Sequence, residues 1–400
     1  MKKLIYVVAL ALLTTTGSFA QKSNIKAAEK LTKASTPNFV EARRLAKEAL
    51  AHEETKADAY AWYVAGLVEH EEFRKNLIAS ALPQNQVDEI AMFNLLLTEM
   101  PLFLQVYEIE KVPNEKGKVK LKYTKKVKDH VKEDYQYLLN AGNAYMGKQD
   151  YVSAAKAFGQ FLKIKEHPLF AEDKEVSTPD STTMQVAYFA CLLNYESKRF
   201  DEAIEMSRKY RDFVEKKDDV MQVLCGSLLA KADTTAAVEA MMEGAKLFPQ
   251  TPYYLSNAIA IKMSQGNNDE AVKLLQQAID NDPNNALYLS MMGDMFTRDE
   301  QWEKAVEWYE KSIAIKPDGY PTTHNLGLSY YNMAVKVLSV DRPGKLEEDK
   351  AEALFKKALP HFEAAYKQKP DAVYYVLANI CKRLGLDKRY QELKELHNLD

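Results

Sequence analysis

The chain has 400 residues, of which 46% are hydrophobic and 28% charged, with 54 Lys and Arg against 57 Asp and Glu. That apolar share can build a core and is too high for disorder, and a net charge of −3 gives no global field to attract nucleic acid. Fourteen glycines, fourteen prolines and three cysteines exclude long coil tracts, a turn-rich β-sandwich and a disulfide scaffold.

Residues 1–20 read as a secretory signal peptide. Met1-Lys2-Lys3 is a basic start, Leu4–Leu13 an apolar run, and Ser18-Phe19-Ala20 puts small residues at the −3 and −1 positions of a cut before Gln21. Ten residues span only ~15 Å as a helix, about half a bilayer core. No cysteine follows the cut, so a lipid anchor is not expected. Losing Lys2 and Lys3 leaves 52 cationic against 57 anionic residues, a net −5. No later segment is an uninterrupted apolar run of about 18 residues. The expectation is an exported chain without a transmembrane segment, periplasmic or associated with an outer membrane.

The next stretch, 84–134, contains an apolar helix over Val87–Ile109, with Pro101 as a kink. Lys111–Lys132 follows, with nine lysines against Glu115 and Asp129, or +7. Pro113–Gly117 is a turn. Val119, Leu121 and Tyr123 alternate with lysines as in a short strand, although a lone strand gains little, and a loop followed by a helix from about Lys125 is favoured.

From 135 onward a period of thirty-four residues organises the chain. Pro249, Pro283 and Pro317 keep it, as do Ala203, Ala237, Ala271 and Ala305, and Gly293 and Gly327. Each unit reads as two amphipathic helices. In 286–319, Leu289, Met292, Gly293 and Phe296 form one stripe and Trp302, Ala305, Tyr309 and Ser312 a second, and Pro317 ends the pair. Small residues are expected where the helices touch most closely.

These residues resemble the tetratricopeptide repeat. Leu138, Ala141, Gly142, Tyr145, Ala154, Phe158 and Phe161 match its pattern. Leu326, Gly327 and Tyr330 match its first helix again, and Ala358, Phe362, Ala365 and Pro370 its second. Trp62, Ala65 and Gly66 are similar to a more divergent first helix. The resemblance implies an all-α fold, a right-handed α-solenoid of antiparallel helix pairs. Its parts would be divergent repeats with the Lys-rich insertion (111–132) in 21–134, an array over 135–372, and C-terminal capping helices in 373–400. The period breaks twice. An insertion near 167–183, rich in Pro, Asp, Ser and Thr, is expected as an exposed loop. Another near 332–353, around Asp341-Arg342-Pro343-Gly344, is expected to lengthen one helical hairpin by about nine residues per helix, ~14 Å.

No Gly-rich phosphate loop, nucleophile elbow, His-Glu-x-x-His or Cys-x-x-Cys motif is present. We therefore expect no catalytic residues, no cofactor and no metal site. His70, with Glu69, Glu71 and Glu72, reads as a solvated helix face, because neighbouring residues on a helix point ~100° apart. Cys191, Cys225, Cys381 and the pairs Met241-Met242 and Met291-Met292 read as core. The resemblance implies that first helices line a binding groove, placing there Asn143, Tyr188, Tyr195, Tyr253, Ser256, Asp294, His324, Tyr331 and Tyr374. Of the family's carboxylate clamp, only Asn143 corresponds, with Leu139 in place of the lysine. Lys116, Lys118, Lys120, Lys122, Lys125, Lys126 and Lys128 form a basic patch, either a solvated loop or a contact for an acidic partner. The functional expectation is a non-catalytic scaffold of the bacterial envelope that holds an extended peptide or protein segment, with no nucleic-acid partner. The alternative is a glycan- or small-ligand-binding component of an outer-membrane uptake system.

Overall fold

The computed structural model describes residues 22–82 and 84–397. The signal-peptide assignment for 1–20 lies outside the described residues. Among the described residues the secondary structure is helical and no strand occurs, so Val119–Tyr123 is loop. The chain divides into two compact units between Asp233 and Thr234.

The first unit contains α1 (22–32), α2 (Phe39–Leu50), α3 (Glu53–Lys56), α4 (Ala59–Ser80), α5 (Glu89–Glu110), α6 (Thr124–Asp134), α7 (Tyr137–Gly147) and α8 (Tyr151–Glu166). A 3-10 turn at Pro168–Phe170 and α9 (Lys174–Ser177) lead to α10 (Ser181–Glu196), α11 (Phe200–Tyr210) and α12 (Lys217–Ala230). The second unit contains α13 (Thr234–Leu247), α14 (Pro252–Ser264), α15 (Asn268–Asn281), α16 (Ala286–Arg298), α17 (Trp302–Ile315), α18 (Tyr320–Leu338), α19 (Lys345–Gln368), α20 (Pro370–Arg383) and α21 (Asp387–His397).

Within each unit helices pack on their neighbours in chain order, and first helices also meet the next first helix, as α10 meets α12 and α16 meets α18. That is the contact pattern of an α-solenoid. The predicted close approaches are present. A Cβ on Gly142 of α7 would lie 2.2 Å from the Phe158 ring of α8, and one on Gly293 of α16 2.5 Å from Tyr309 of α17. The aromatic ring of the second helix fills the space that the glycine leaves, burying Phe158 and Tyr309.

Each repeat turn is also built alike. Lys198, Ala232, Gly266 and Glu300, spaced by thirty-four, all adopt left-handed backbone, with φ of 60°, 59°, 77° and 56°. The amide that follows each one donates back five residues: Arg199 to Asn194, Asp233 to Leu228, Asn267 to Lys262 and Gln301 to Phe296, at 2.8–3.0 Å. These bonds cap carbonyls that would otherwise end the first helix unpaired.

Three features differ from the sequence reading. First, α4 and α5 are 22 residues each and pack together as a long hairpin, in which Phe103 of α5 sits where a Cβ of Gly66 would be, 2.5 Å away. The stretch that fitted the repeat least therefore supplies a second helix. Second, the 167–183 insertion is not an exposed loop: Phe170 and Val176 are fully buried and Leu169 nearly so. Third, the hairpin around 332–353 lengthens unequally, to 19 residues in α18 and 24 in α19.

By length and composition α5 is apolar enough to cross a membrane, with a mean hydropathy of 1.4. It packs against α4, α6, α7 and α8 and buries Leu96, Met100 and Phe103 completely. It runs unbroken through Pro101, whose ring removes the donor for the Leu97 carbonyl. Gln160 of α8 supplies a replacement, its Nε2 donating to that oxygen at 2.9 Å.

Candidate binding surface

The lysine block divides into two parts. Residues 111–122 form an exposed loop, including Val112, Val119 and Leu121 as well as Lys116, Lys118, Lys120 and Lys122. Its turn is closed by Asn114, whose Oδ1 accepts from the Lys116 and Lys118 amides at 2.9 and 3.2 Å, with Gly117 at φ 69°. Both ends of the loop meet at Glu110, the last residue of α5. Its carboxylate accepts from the Tyr123 amide (2.9 Å), the Thr124 amide (2.9 Å) and the Thr124 hydroxyl (2.7 Å), a negative charge on the otherwise unpaired donors that begin α6. Tyr123 is stacked between Tyr60 and Tyr63, at 5.5 and 5.2 Å.

The lysines carried by α6 are partly used within the unit. Lys126 lies over the Tyr63 ring, and Lys128 lies over Phe170 and 3.9 Å from Asp173, while Lys125 is exposed. Lys132 pairs with Glu175 at 2.6 Å and with Asp173 at 3.2 Å. The insertion after α8 therefore supplies the counter-charges for this end of the block.

The predicted groove residues of the first unit separate likewise. Asn143 is exposed on α7. Tyr188 is half-buried. Its hydroxyl donates to Asp219 of α12 at 2.8 Å, and Lys216 covers its ring at 5.1 Å. Tyr195 packs on the backbone of Gly226 in α12, with ring atoms 3.1 Å from where a Cβ would be.

In the second unit, Asp294 accepts from Tyr309 (2.6 Å) and Asn325 (2.9 Å), joining α16, α17 and α18. Ser256 bonds back to the Pro252 carbonyl, and Tyr253 sits edge-on to Tyr254. His324 is stacked on Tyr320, Tyr331 meets Phe355 edge-on, and Tyr374 is stacked on His397 at 4.3 Å. Most of these side chains therefore join one helix to the next.

A cleft of about 350 Å³ in the first unit contains a predicted groove residue. Met184, Gln185, Tyr188 and Phe189 of α10 line it, together with Ser181, Glu215 and Lys216. A cleft of about 380 Å³ in the second unit lies around Pro249–Pro252 and Asn281–Asn285, and none of the predicted groove residues line it.

The sequence reading of His70 is corrected. His70 and Glu69 are buried, and the partners of His70 come from other helices. Its Nδ1 lies 2.8 Å from Asp134 of α6 and 3.3 Å from Glu99 of α5, both completely buried. Burial opposes its protonation, but Asp134 and Glu99 outweigh that and raise its pKa to about 10. Burial moves the Glu99 carboxyl above the usual carboxylate range. His130 of α6, its ring centroid 4.2 Å from that of His70, is pushed down to about 4 by burial and by His70. Nothing local in the sequence marks this group, because its members lie 29 and 35 residues apart along the chain.

The repeat register, the glycine–aromatic contacts and the repeated helix caps agree with one family. The tetratricopeptide repeat model matches residues 261–320. These span the end of α14 to the start of α18. A curated relative, small glutamine-rich tetratricopeptide repeat-containing protein 2 of Mycosarcoma maydis, is 30% identical over 89 residues. That is 22% of this chain, and the match spans a quarter of the relative's length. Among solved structures, MamA is similar over 44% of this chain and 95% of its own, at 22% identity and a TM-score of 0.33. YrrB, described as a TPR protein with an unusual peptide-binding site, is similar over 50% of this chain and 96% of its own, at 21% identity and a TM-score of 0.34.

Proposed function

We propose that this chain is an exported, non-catalytic scaffold that binds an extended peptide or protein segment along first helices of its repeats. The observation that carries this reading is the cleft on α10, where Met184, Tyr188 and Phe189 give apolar surface beside Lys216. A rigid aromatic plate next to a cation suits a segment with an apolar anchor and an acidic neighbour. The repeat match at 261–320 supports the same reading, since stacked helix pairs present extended faces rather than reactive pockets. The exposed lysines of 111–122 would add long-range attraction for acidic partners.

Peptide display against the chain, followed by titration of the selected peptides, tests this. Selected peptides should bind at micromolar Kd, and Lys216→Glu should weaken them about tenfold, the loss of one charge contact. A selection that enriches nothing, or peptides indifferent to Lys216→Glu, would reject the α10 cleft. Export is supported by the basic, apolar and small-residue segments of 1–20. N-terminal sequencing of the chain from the cell envelope should begin at Gln21, and a retained Met1 would refute it.

A further inference from the structure

We propose that His70, Glu99 and Asp134, with His130 beside them, form a binding site for one divalent first-row transition-metal ion. The three helices α4, α5 and α6 each contribute one of the first three side chains. One donor atom from each of these three side chains lies within 4.8 Å of the others. His70, His130 and Glu133 form a second such group, sharing His70.

The spacing suits an ion. Bonds of about 2.0–2.2 Å in tetrahedral geometry place neighbouring donor atoms about 3.3–3.6 Å apart. His70 Nδ1 is 3.3 Å from Glu99 Oε1 and 2.8 Å from Asp134 Oδ2, so these two pairs lie within about half an ångström of that spacing. The protein's own hydrogen atoms satisfy the group incompletely. Nδ1 carries at most one hydrogen for two carboxylates. Arg74 donates to Asp134 Oδ1 at 3.0 Å and His70 Nδ1 pairs with Oδ2 at 2.8 Å, yet Glu99 Oε2 is buried without a hydrogen-bond partner. An unpartnered buried carboxylate oxygen is costly, and a cation at this point removes that cost.

Donor chemistry sets the class of ion. One or two imidazoles with carboxylates and no thiolate suit Zn²⁺, Mn²⁺ or Fe²⁺, whereas Ca²⁺ and Mg²⁺ take oxygen ligands and Cu⁺ favours sulfur. Glu133, exposed on α6, and half-exposed His130 mark the side from which an ion would enter. The bound ion would tie α5 to α6, the two helices that the lysine loop connects.

The test uses the untagged full chain, stripped with chelator and dialysed against ZnCl₂ or MnCl₂. The expected result is one ion per chain at micromolar Kd or tighter, a higher unfolding temperature with metal, and binding weakened about a hundredfold or more by Glu99→Gln and by Asp134→Asn. Loss of supporting contacts alone costs metal sites about 10–100-fold. A folded wild-type chain that takes up no ion, or takes it up only at millimolar concentration, overturns the proposal. So do folded variants that bind as tightly as wild type. If the variants do not fold, Co²⁺ added to wild type decides. Visible ligand-field bands at one equivalent support the site, and a spectrum identical to aqueous Co²⁺ refutes it.

Discussion

Gln160 of α8 donates a 2.9 Å hydrogen bond to the main-chain oxygen of Leu97 in α5, the acceptor that Pro101 leaves without its helical donor. The cost of placing a proline inside a 22-residue helix is thus partly met by a side chain 63 positions further along the chain. Gln160→Ala should destabilise the chain by about 1–2 kcal/mol, because the oxygen loses its partner. Pro101→Ala restores a main-chain donor, so Gln160→Ala should cost measurably less in that background. Urea titrations of the four variants give the coupling, and additive losses would contradict the compensation.

Gly142→Ala places a methyl group 2.2 Å from the Phe158 ring. The helices must separate or the ring must leave its rotamer, at about 1–3 kcal/mol. Combining it with Phe158→Leu should cost less than the two single losses together, as read from denaturant midpoints of the three variants.

Left-handed backbone at Ala232 and Glu300 has the opposite consequence. A Cβ is disfavoured there and glycine is not, as Gly266 illustrates at the equivalent turn. Ala232→Gly and Glu300→Gly should each raise stability by about 0.5–1 kcal/mol after the greater unfolded-state entropy of glycine is counted. Thermal unfolding checks this, and a lower midpoint would refute it.

Alkaline pH should weaken the fold. Burial pushes the Cys191 thiol up to about 12 and the Tyr145 hydroxyl up to about 12. In the unfolded chain these groups ionise near ~8.5 and ~10. Above those values the unfolded state has released protons that the folded state retains. The stabilisation is therefore complete below pH ~8.5 and declines as pH rises towards 12. Unfolding temperatures from pH 8 to 11 should fall, with a shallower early decline in Cys191→Ala. Thiol reagents at pH 8 should label Cys191 and Cys381 only on unfolding, because both are free and buried.

The repeat register was legible because it is periodic. Gly293, Ala305 and Tyr309 each follow from the need for two helices to approach closely. The α4–α5 hairpin was harder to see, since Gly66 finds Phe103 across 37 residues, beyond any fixed interval. The insertion after α8 looked polar, yet its few apolar residues, Leu169, Phe170 and Val176, decide its fate by burial. Composition averages over such anchors. Tyr188 and Asp294 lie on α10 and α16, and their carboxylate and hydroxyl partners on later helices have no local signal in the sequence. His70 is a related case, because a single helix face does not reveal side chains that converge from three helices.

The carboxylate of Glu110 bolts together the two ends of the lysine loop, so its contour length is decoupled from the body it leaves. Closure entropy rises only as about (3/2)RT ln n, roughly 0.6 kcal/mol per doubling. Relatives or engineered versions can therefore splice foreign sequence between Val112 and Lys122 at little thermodynamic expense. Replacing the single acid at position 110 would unfasten every such graft at once.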